Sequence, residues 1–411
     1  MVFPRAAQYR RPLIAPVKWL ALILAVAALA GSASAAFLAA LDWATATRLA
    51  HPWLLAGLPL AGWAVAWVYW RIGQPVEAGN NLLIDEIHQP RQPIPLRMAP
   101  LIWLGTVIAH LFGASVGREG AAVQMGGALA DQIAQRCRLD TFDRQRMLLV
   151  GISAGFASVF GTPLAGAVFA LEVLALGRVR ADALLPCLLA ALLADQVCLA
   201  WGAKHAHHTV AAIPALSPAT LAAILLAGAL FGLAGRSFAH ATHGLGQWLK
   251  NRVSYPPLRP LLGGALVAGL AWALGGERFL GLGLGLIDAA FTQPLGMQEA
   301  AGKWAFTVLS LASGFKGGEV TPLFAIGATL GNALAPLLAL PAPLLAGIGL
   351  VAVFAGAANT PLACTLMAME LFGSGVGVYA ALACAASYAC SGHHGIYRAQ
   401  RVDAPKHRPV L

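Results

Sequence analysis

From Thr321 to Met369 the chain carries no charged side chain, and shorter uncharged runs cover Trp19 to Leu41 and Trp53 to Trp70. Crossing a bilayer takes about 17 to 25 apolar residues in a helix, and a helix satisfies its own N–H and C=O groups where no water can reach them. Of the 411 residues, 59% are hydrophobic and only 11% charged, against about 25% charged in a soluble domain. The expected fold class is therefore an all-α polytopic membrane protein. About eleven hydrophobic segments can be drawn, some too short to cross.

Both ends are basic. Arg5, Arg10, Arg11 and Lys18 precede the first run, and Arg398, Arg401, Lys406 and Arg408 close the chain. Positive flanks stay in the cytoplasm, so both tails are expected there. Ala33-Ser34-Ala35 resembles a signal-peptidase site, but the apolar stretch exceeds a secretory h-region and reads better as the first membrane helix. The net charge of +10 follows from these flanks. With no aromatic-interleaved basic stripe, nucleic acid is not an expected partner. Six single cysteines, at 137, 187, 198, 364, 384 and 390, read as small buried hydrophobes. Lys204-His205-Ala206-His207-His208 lacks a neighbouring carboxylate or thiol in sequence and reads as a solvated loop, so no metal or other cofactor is expected.

Two carboxylates break this apolar background, Glu119 in GREGAAVQMGGAL and Glu319 in GGEVTPLFAIGAT. A charge at bilayer depth costs about 2.5 kcal/mol or more and is usually kept for ion or proton handling. The two belong to an internal duplication. TPLAGAVFALE (162–172) returns as TPLACTLMAME (360–370) with six identities in eleven, and Gly117, Glu119, Gly127 and Ala128 return as Gly317, Glu319, Gly327 and Ala328. Weak repeats of half the chain length in a membrane protein indicate two halves about a pseudo-two-fold axis, with the transport site between them. The expected division is one transmembrane domain over 1–411, with a first repeat at about 18–200 and a second at about 212–397. Glu172 and Glu370, closing the two TPLA segments, read as scaffold because of their symmetry.

Three interruptions have the chemistry of an anion site. Gly117-Arg118-Glu119-Gly120 allows a tight turn before a helix expected near Ala121. In Gly317-Gly318-Glu319-Val320-Thr321-Pro322, proline suits a first helical position and Thr321 a cap. In Gly79-Asn80-Asn81, an amide stands beside a third helix start. Helix N-termini offer unpaired donors and about half a positive charge each, so several aimed at one point attract an anion. Glu319 reads equally as a pathway carboxylate or a buried structural one, with Lys316 as its candidate partner.

These motifs resemble those of the CLC chloride channel and transporter family. GREGAAVQMGG is similar to its GREGP signature, GGEVTP stands at its GxFxP motif, GNNLL at its GSGIP motif, and HHGIYRAQ supplies a late tyrosine, Tyr397. The resemblance implies a CLC-type inverted-repeat subunit with broken helices meeting at an anion site, in a homodimer with one pathway per subunit. It implies that Glu119 is the gating and proton-carrying glutamate. It also implies that Asn80 and Tyr397 line the anion site from the cytoplasmic side, with Gly117, Arg118, Gly120, Gly318, Val320 and Thr321 around it.

The departures narrow the resemblance. The family's chloride-handling members carry serine where Asn80 stands and phenylalanine where Val320 stands. Their proton-coupled exchangers carry a second glutamate at the position of Val173, and no long regulatory domain follows Tyr397 here. The pattern is most similar to the bacterial fluoride/proton antiporter clade, which implies fluoride export against proton entry across the inner (plasma) membrane. The alternative is a chloride channel or chloride/proton antiporter. Asn80 has a physical rationale: fluoride is strongly hydrated, and an amide offers two donors where serine offers one. An intramembrane hydrolase is disfavoured, because the chain has no HExxH pair, GxSxG elbow or GxGD aspartates.

Overall fold

The computed structural model describes residues 14–205, 208–210 and 212–406. Arg5, Arg10, Arg11, His207 and Arg408 lie outside them. Within them the chain forms sixteen α-helices. The first eight are α1 (Ile14–Ala50), α2 (Leu58–Ile72), α3 (Asn80–His88), α4 (Met98–Phe112), α5 (Glu119–Arg136), α6 (Thr141–Phe160), α7 (Pro163–Glu172) and α8 (Leu184–Ala200). The second eight are α9 (Pro218–Arg252), α10 (Leu258–Leu274), α11 (Leu284–Thr292), α12 (Met297–Ser313), α13 (Val320–Leu338), α14 (Ala342–Ala358), α15 (Pro361–Phe372) and α16 (Gly377–Cys390). Each set opens with a long helix, of 37 and 35 residues, and has a short third helix of nine. The same order of long and short elements thus occurs twice.

Among the described residues, five helical stretches are long and apolar enough to cross a membrane and six shorter ones are apolar. The uncharged run from Thr321 to Met369 is divided among three helices. It breaks where Ala339 (φ 51°) and Asn359 (φ 58°) adopt left-handed conformations that end α13 and α14. Proline then helps restart the chain at α15. The run from Trp53 to Trp70 likewise divides into a 3-10 turn (Pro52–Gly57) and α2.

Small residues let the helices carrying the Gly-rich motifs press against their successors. A side chain on Gly126 of α5 would strike the carbonyl of Gly151 in α6, and one on Gly327 of α13 would strike that of Gly349 in α14. Such close backbone approach is how helices associate where lipid supplies no hydrophobic drive.

Two carboxylates cross-link the repeats. Glu172, ending α7, accepts from Leu362 N (3.0 Å) and Ala363 N (2.9 Å) at the start of α15, while Glu370 near the end of α15 accepts from Leu164 N and Ala165 N (both 2.8 Å) at the start of α7. Each anion satisfies donors that a helix start leaves open, at its positive end. These are scaffold bonds. Glu370→Ala is expected to destabilise the protein by about 1–2 kcal/mol, as the loss of a helix cap does. Thermal unfolding in detergent reads the loss.

A second brace sets the direction of α3. Arg144 of α6 donates to Asp131 of α5 (2.6 Å), to Glu86 of α3 (3.1 Å) and to the carbonyl of Gln92 (2.8 Å). Glu86 also accepts from the N–H groups of Arg91 and Gln92, and Asp131 from that of Ile94. The loop after α3 is thereby closed onto buried charge.

Two sequence expectations need correction. Cys137 is exposed at the end of α5 and Cys390 is half-buried, leaving four of the six cysteines buried. His205 is not solvated: its side chain is 6% exposed, packs over Gly161 and lies 3.4 Å from Asp195. His208 bonds Asp288 (2.8 Å) and stacks on Phe291. The carboxylates are distant in sequence, so the loop's own composition could not reveal them. Beyond the last helix, Arg401–Val402 pairs in parallel with Ala175–Leu176.

Candidate functional site

The two carboxylate motifs meet at the centre of the molecule. α4 ends at Gly113 (φ 95°) and α12 at Gly314 (φ 100°), and the loops that follow pair as an antiparallel bridge. Gly117 N donates to Gly318 O (2.6 Å) and Gly318 N to Gly117 O (2.8 Å). A Cβ on Gly117 would lie 3.0 Å from Gly318 O, and one on Gly318 would lie 2.8 Å from Gly120 N. Only glycine lets the backbones approach this closely. The bridge bears on one expectation: Gly117 and Gly318 each donate their N–H to the other's carbonyl, so these residues shape the site rather than donate to an anion.

From this bridge α5 and α13 set out. Both begin two residues earlier than expected, at Glu119 and Val320. Thr321 and Pro322 therefore sit inside the first turn of α13, and Thr321 does not cap it.

Its groups have another partner. Glu119, fully buried at the start of α5, accepts at Oε2 from Thr321 N (3.1 Å) and from the Thr321 hydroxyl. The carboxylate of one repeat thus occupies the positive N-terminus of a helix in the other, a ready seat for an anion. Glu119 Oε1 lies 3.5 Å from Arg118 Nε, near enough for ionic attraction but not aligned for a hydrogen bond.

Asn80 and Glu319 converge from the opposite side. A Cβ on Gly120 would meet Asn80 Nδ2 at 3.0 Å, Gly318 Cα at 3.1 Å and Glu319 Oε2 at 3.7 Å. Asn80 reaches this point because Gly79 (φ 59°) turns the chain into α3. Asn80 Oδ1, Glu119 Oε1 and Glu319 Oε2 are buried without a hydrogen-bond partner in the protein. Buried polar atoms are normally satisfied, so these three are the atoms that water, a proton or an ion must serve. Lys316 is not the partner of Glu319: its ammonium sits 4.1 Å from the centre of the Tyr69 ring.

Asn80, Glu319 and Tyr397 open onto one vestibule of about 700 Å³, whose wall includes Gln124, Lys250 and Arg398. Val320, next to Glu319 in the chain, is 1% exposed. The structure therefore brings Asn80, Glu119, Gly120, Glu319, Val320, Thr321 and Tyr397 to one place, with Arg118 at its edge. Gln124 was not singled out in sequence, though its spacing carries the signal. It lies one turn beyond Gly120 on α5, and its amide reaches Gly79.

The family model described as "Voltage gated chloride channel" matches residues 57–392. A "Chloride/fluoride channel protein" of Pseudomonas syringae pv. tomato is 59% identical over 400 residues, which cover 96% of this chain and 88% of that protein. An "H(+)/Cl(-) exchange transporter ClcA" of Cronobacter sakazakii is 27% identical over 401 residues, covering 90% and 86%. The crystal structure of a CLC-type fluoride/proton antiporter superposes with a TM-score of 0.93 at 35% identity, covering 95% of this chain and all of that one. Sixteen helices in this order, a paired-glycine centre joining two helix starts, and a family match across most of the chain lead to one conclusion: this polytopic all-α protein belongs to the voltage-gated chloride channel family, with the inverted-repeat architecture of the CLC transporters.

Proposed function

We propose that the protein is a secondary active transporter, not an enzyme, that exports fluoride in exchange for protons across the bacterial inner (plasma) membrane. The observation that carries this reading is the seat of the Glu119 carboxylate on Thr321 N and the Thr321 hydroxyl at the start of α13. Ionised, Glu119 holds those donors as an anion would. Protonated, it loses its charge and with it the advantage over fluoride at the positive helix end. One group cannot hold the donors in both forms, so anion and proton occupancy are coupled. Glu119 is the obligatory side-chain proton carrier in this cycle.

Asn80 directs an amide N–H at the entrance to the same point, which suits a strongly hydrated anion whose lost water must be replaced by donors. Tyr397 closes the vestibule side. Arg118 raises the potential at the opposite edge without being a ligand, and Val320 shapes the pocket. Glu319 is a pathway carboxylate whose charge opposes an anion unless a proton accompanies it. The printed names of the Pseudomonas protein and of the fluoride/proton antiporter support fluoride as the cargo.

The working unit is a homodimer in the lipid bilayer with both tails in the cytoplasm. The whole chain forms one transmembrane domain of two inverted repeats, about 18–200 and 212–397, and no nucleic acid partner is involved. The test is efflux from liposomes holding the purified protein, followed by fluoride, chloride and pH electrodes in one vessel. Fluoride efflux with opposite, stoichiometric proton uptake and little chloride movement is expected. Rapid chloride efflux would overturn the fluoride assignment, and proton movement would then separate exchanger from channel.

A further inference from the structure

Beyond Tyr397 the chain stays on the protein and ties together the helix ends around that tyrosine. Just before it, Ile396 N donates to Ala357 O (2.8 Å) in the last turn of α14. Just after it, Ala399 N donates to Asn81 Oδ1 (3.0 Å), in the residue next to Asn80. Gln400 then uses every hydrogen-bonding direction of its donor nitrogen. Its Nε2 donates to Val173 O and to Ala358 O (both 3.0 Å), beyond α7 and at the end of α14, while its Oε1 accepts from Asn359 Nδ2 (2.8 Å). Val173 belongs to the first repeat and Ala358 and Asn359 to the second.

Tyr397 lies in no helix or strand, so its place is set by these neighbouring anchors. It is 6% exposed, with its ring edge-on to Phe169 of α7 and its surface toward the vestibule shared with Asn80 and Glu319. We infer that Gln400, assisted by Asn81, is a positioning residue for Tyr397: it fixes the phenol at the vestibule end of the anion path by clamping both repeats and the start of α3 around it. This inference rests on the anion-transport reading above. A planar amide is suited to the task, because two N–H donors and one carbonyl acceptor reach three backbone or amide partners at once. A carboxylate or an aliphatic side chain at this position would leave the carbonyls of Val173 and Ala358 without their partner.

Gln400→Met keeps length and volume and removes all three bonds. Anion uptake is compared in right-side-out and inside-out membrane vesicles, so that each face of the protein is loaded separately. The fluoride concentration for half-maximal transport is expected to rise about tenfold from the vestibule face, the change that a loss of about 1.4 kcal/mol in binding produces. From the other face it stays within about twofold, and the maximal rate is retained. A merely structural contribution would lower the amount of folded protein and scale transport from both faces alike. Asn81→Leu, which loosens the clamp from α3, is expected to shift the same face in the same direction and decides the matter if Gln400→Met does not fold. Wild-type half-saturation on both faces, or an equal shift on both, would overturn the inference. Wild-type vesicles run alongside separate the two readings. A wild-type that carries chloride instead of fluoride sinks the fluoride assignment, and the sided shift is then read with chloride. A wild-type that carries no anion removes both.

Discussion

Glu119→Gln is expected to abolish fluoride-coupled proton movement, with the coupled proton flux falling at least about 10²-fold, the scale of losing a required proton-transfer group. The amide keeps an oxygen in reach of Thr321 N and the Thr321 hydroxyl, so the local geometry survives. It cannot be ionised, however, and so cannot hold the α13 terminus as an anion in one half of the cycle and release it in the other. Any fluoride flux that remains should lose its dependence on pH, because the competition between carboxylate and anion is gone. Liposome efflux with simultaneous fluoride and pH electrodes reads both quantities. Proton pumping at the wild-type rate in this variant would remove Glu119 from the role. Buried Glu319, with its unpartnered Oε2 near Gly120, would then be the next carboxylate to examine.

The largest effect on stability is expected at Arg144, which is not one of the residues assigned to the anion path. Its side chain is about 10% exposed and is flanked by Asp131, fully buried, and Glu86. Arg144→Met leaves two buried carboxylates without their cation, a change that costs about 3–5 kcal/mol when one partner of a buried ion pair is removed. The loss is greater than the fit of methionine's apolar stem can offset. Both carboxylates also hold the N–H groups of Arg91, Gln92 and Ile94, so α3 and the Asn80 turn should loosen together. Thermal unfolding in detergent and the yield of folded protein measure the destabilisation. A variant within about 1 kcal/mol of wild type would show that the brace contributes little, as exposed ion pairs do.

The centre of the molecule was legible in sequence to the extent that backbone chemistry is local. Glycines flanking Glu119 and Glu319 and the doubled TPLA segments announce two broken helices and their repetition, because only certain residues permit tight turns and restart helices in an apolar chain. Partners are a different matter. Thr321 reads as a cap from its place before Pro322, yet it serves Glu119, 202 residues away in the chain. Gly117 and Gly318 read as part of the anion site, yet each gives its N–H to the other's carbonyl. Lys316 reads as the partner of Glu319 from its spacing, yet it lies over Tyr69. His205 and His208 read as solvated, yet they find Asp195 and Asp288.

By itself the sequence determined the membrane environment, the helical class, the internal repetition and the carboxylate at the site. Each of these follows from composition, run length or local turn chemistry along a single stretch of chain. The tertiary structure alone decided which polar atoms stay unpartnered, which carboxylate reaches a helix end of the other repeat, and how the tail clamps Tyr397. Hydrogen bonds and ion pairs depend on distance in space, and the repeats meet only after residues about two hundred apart in the chain are brought together.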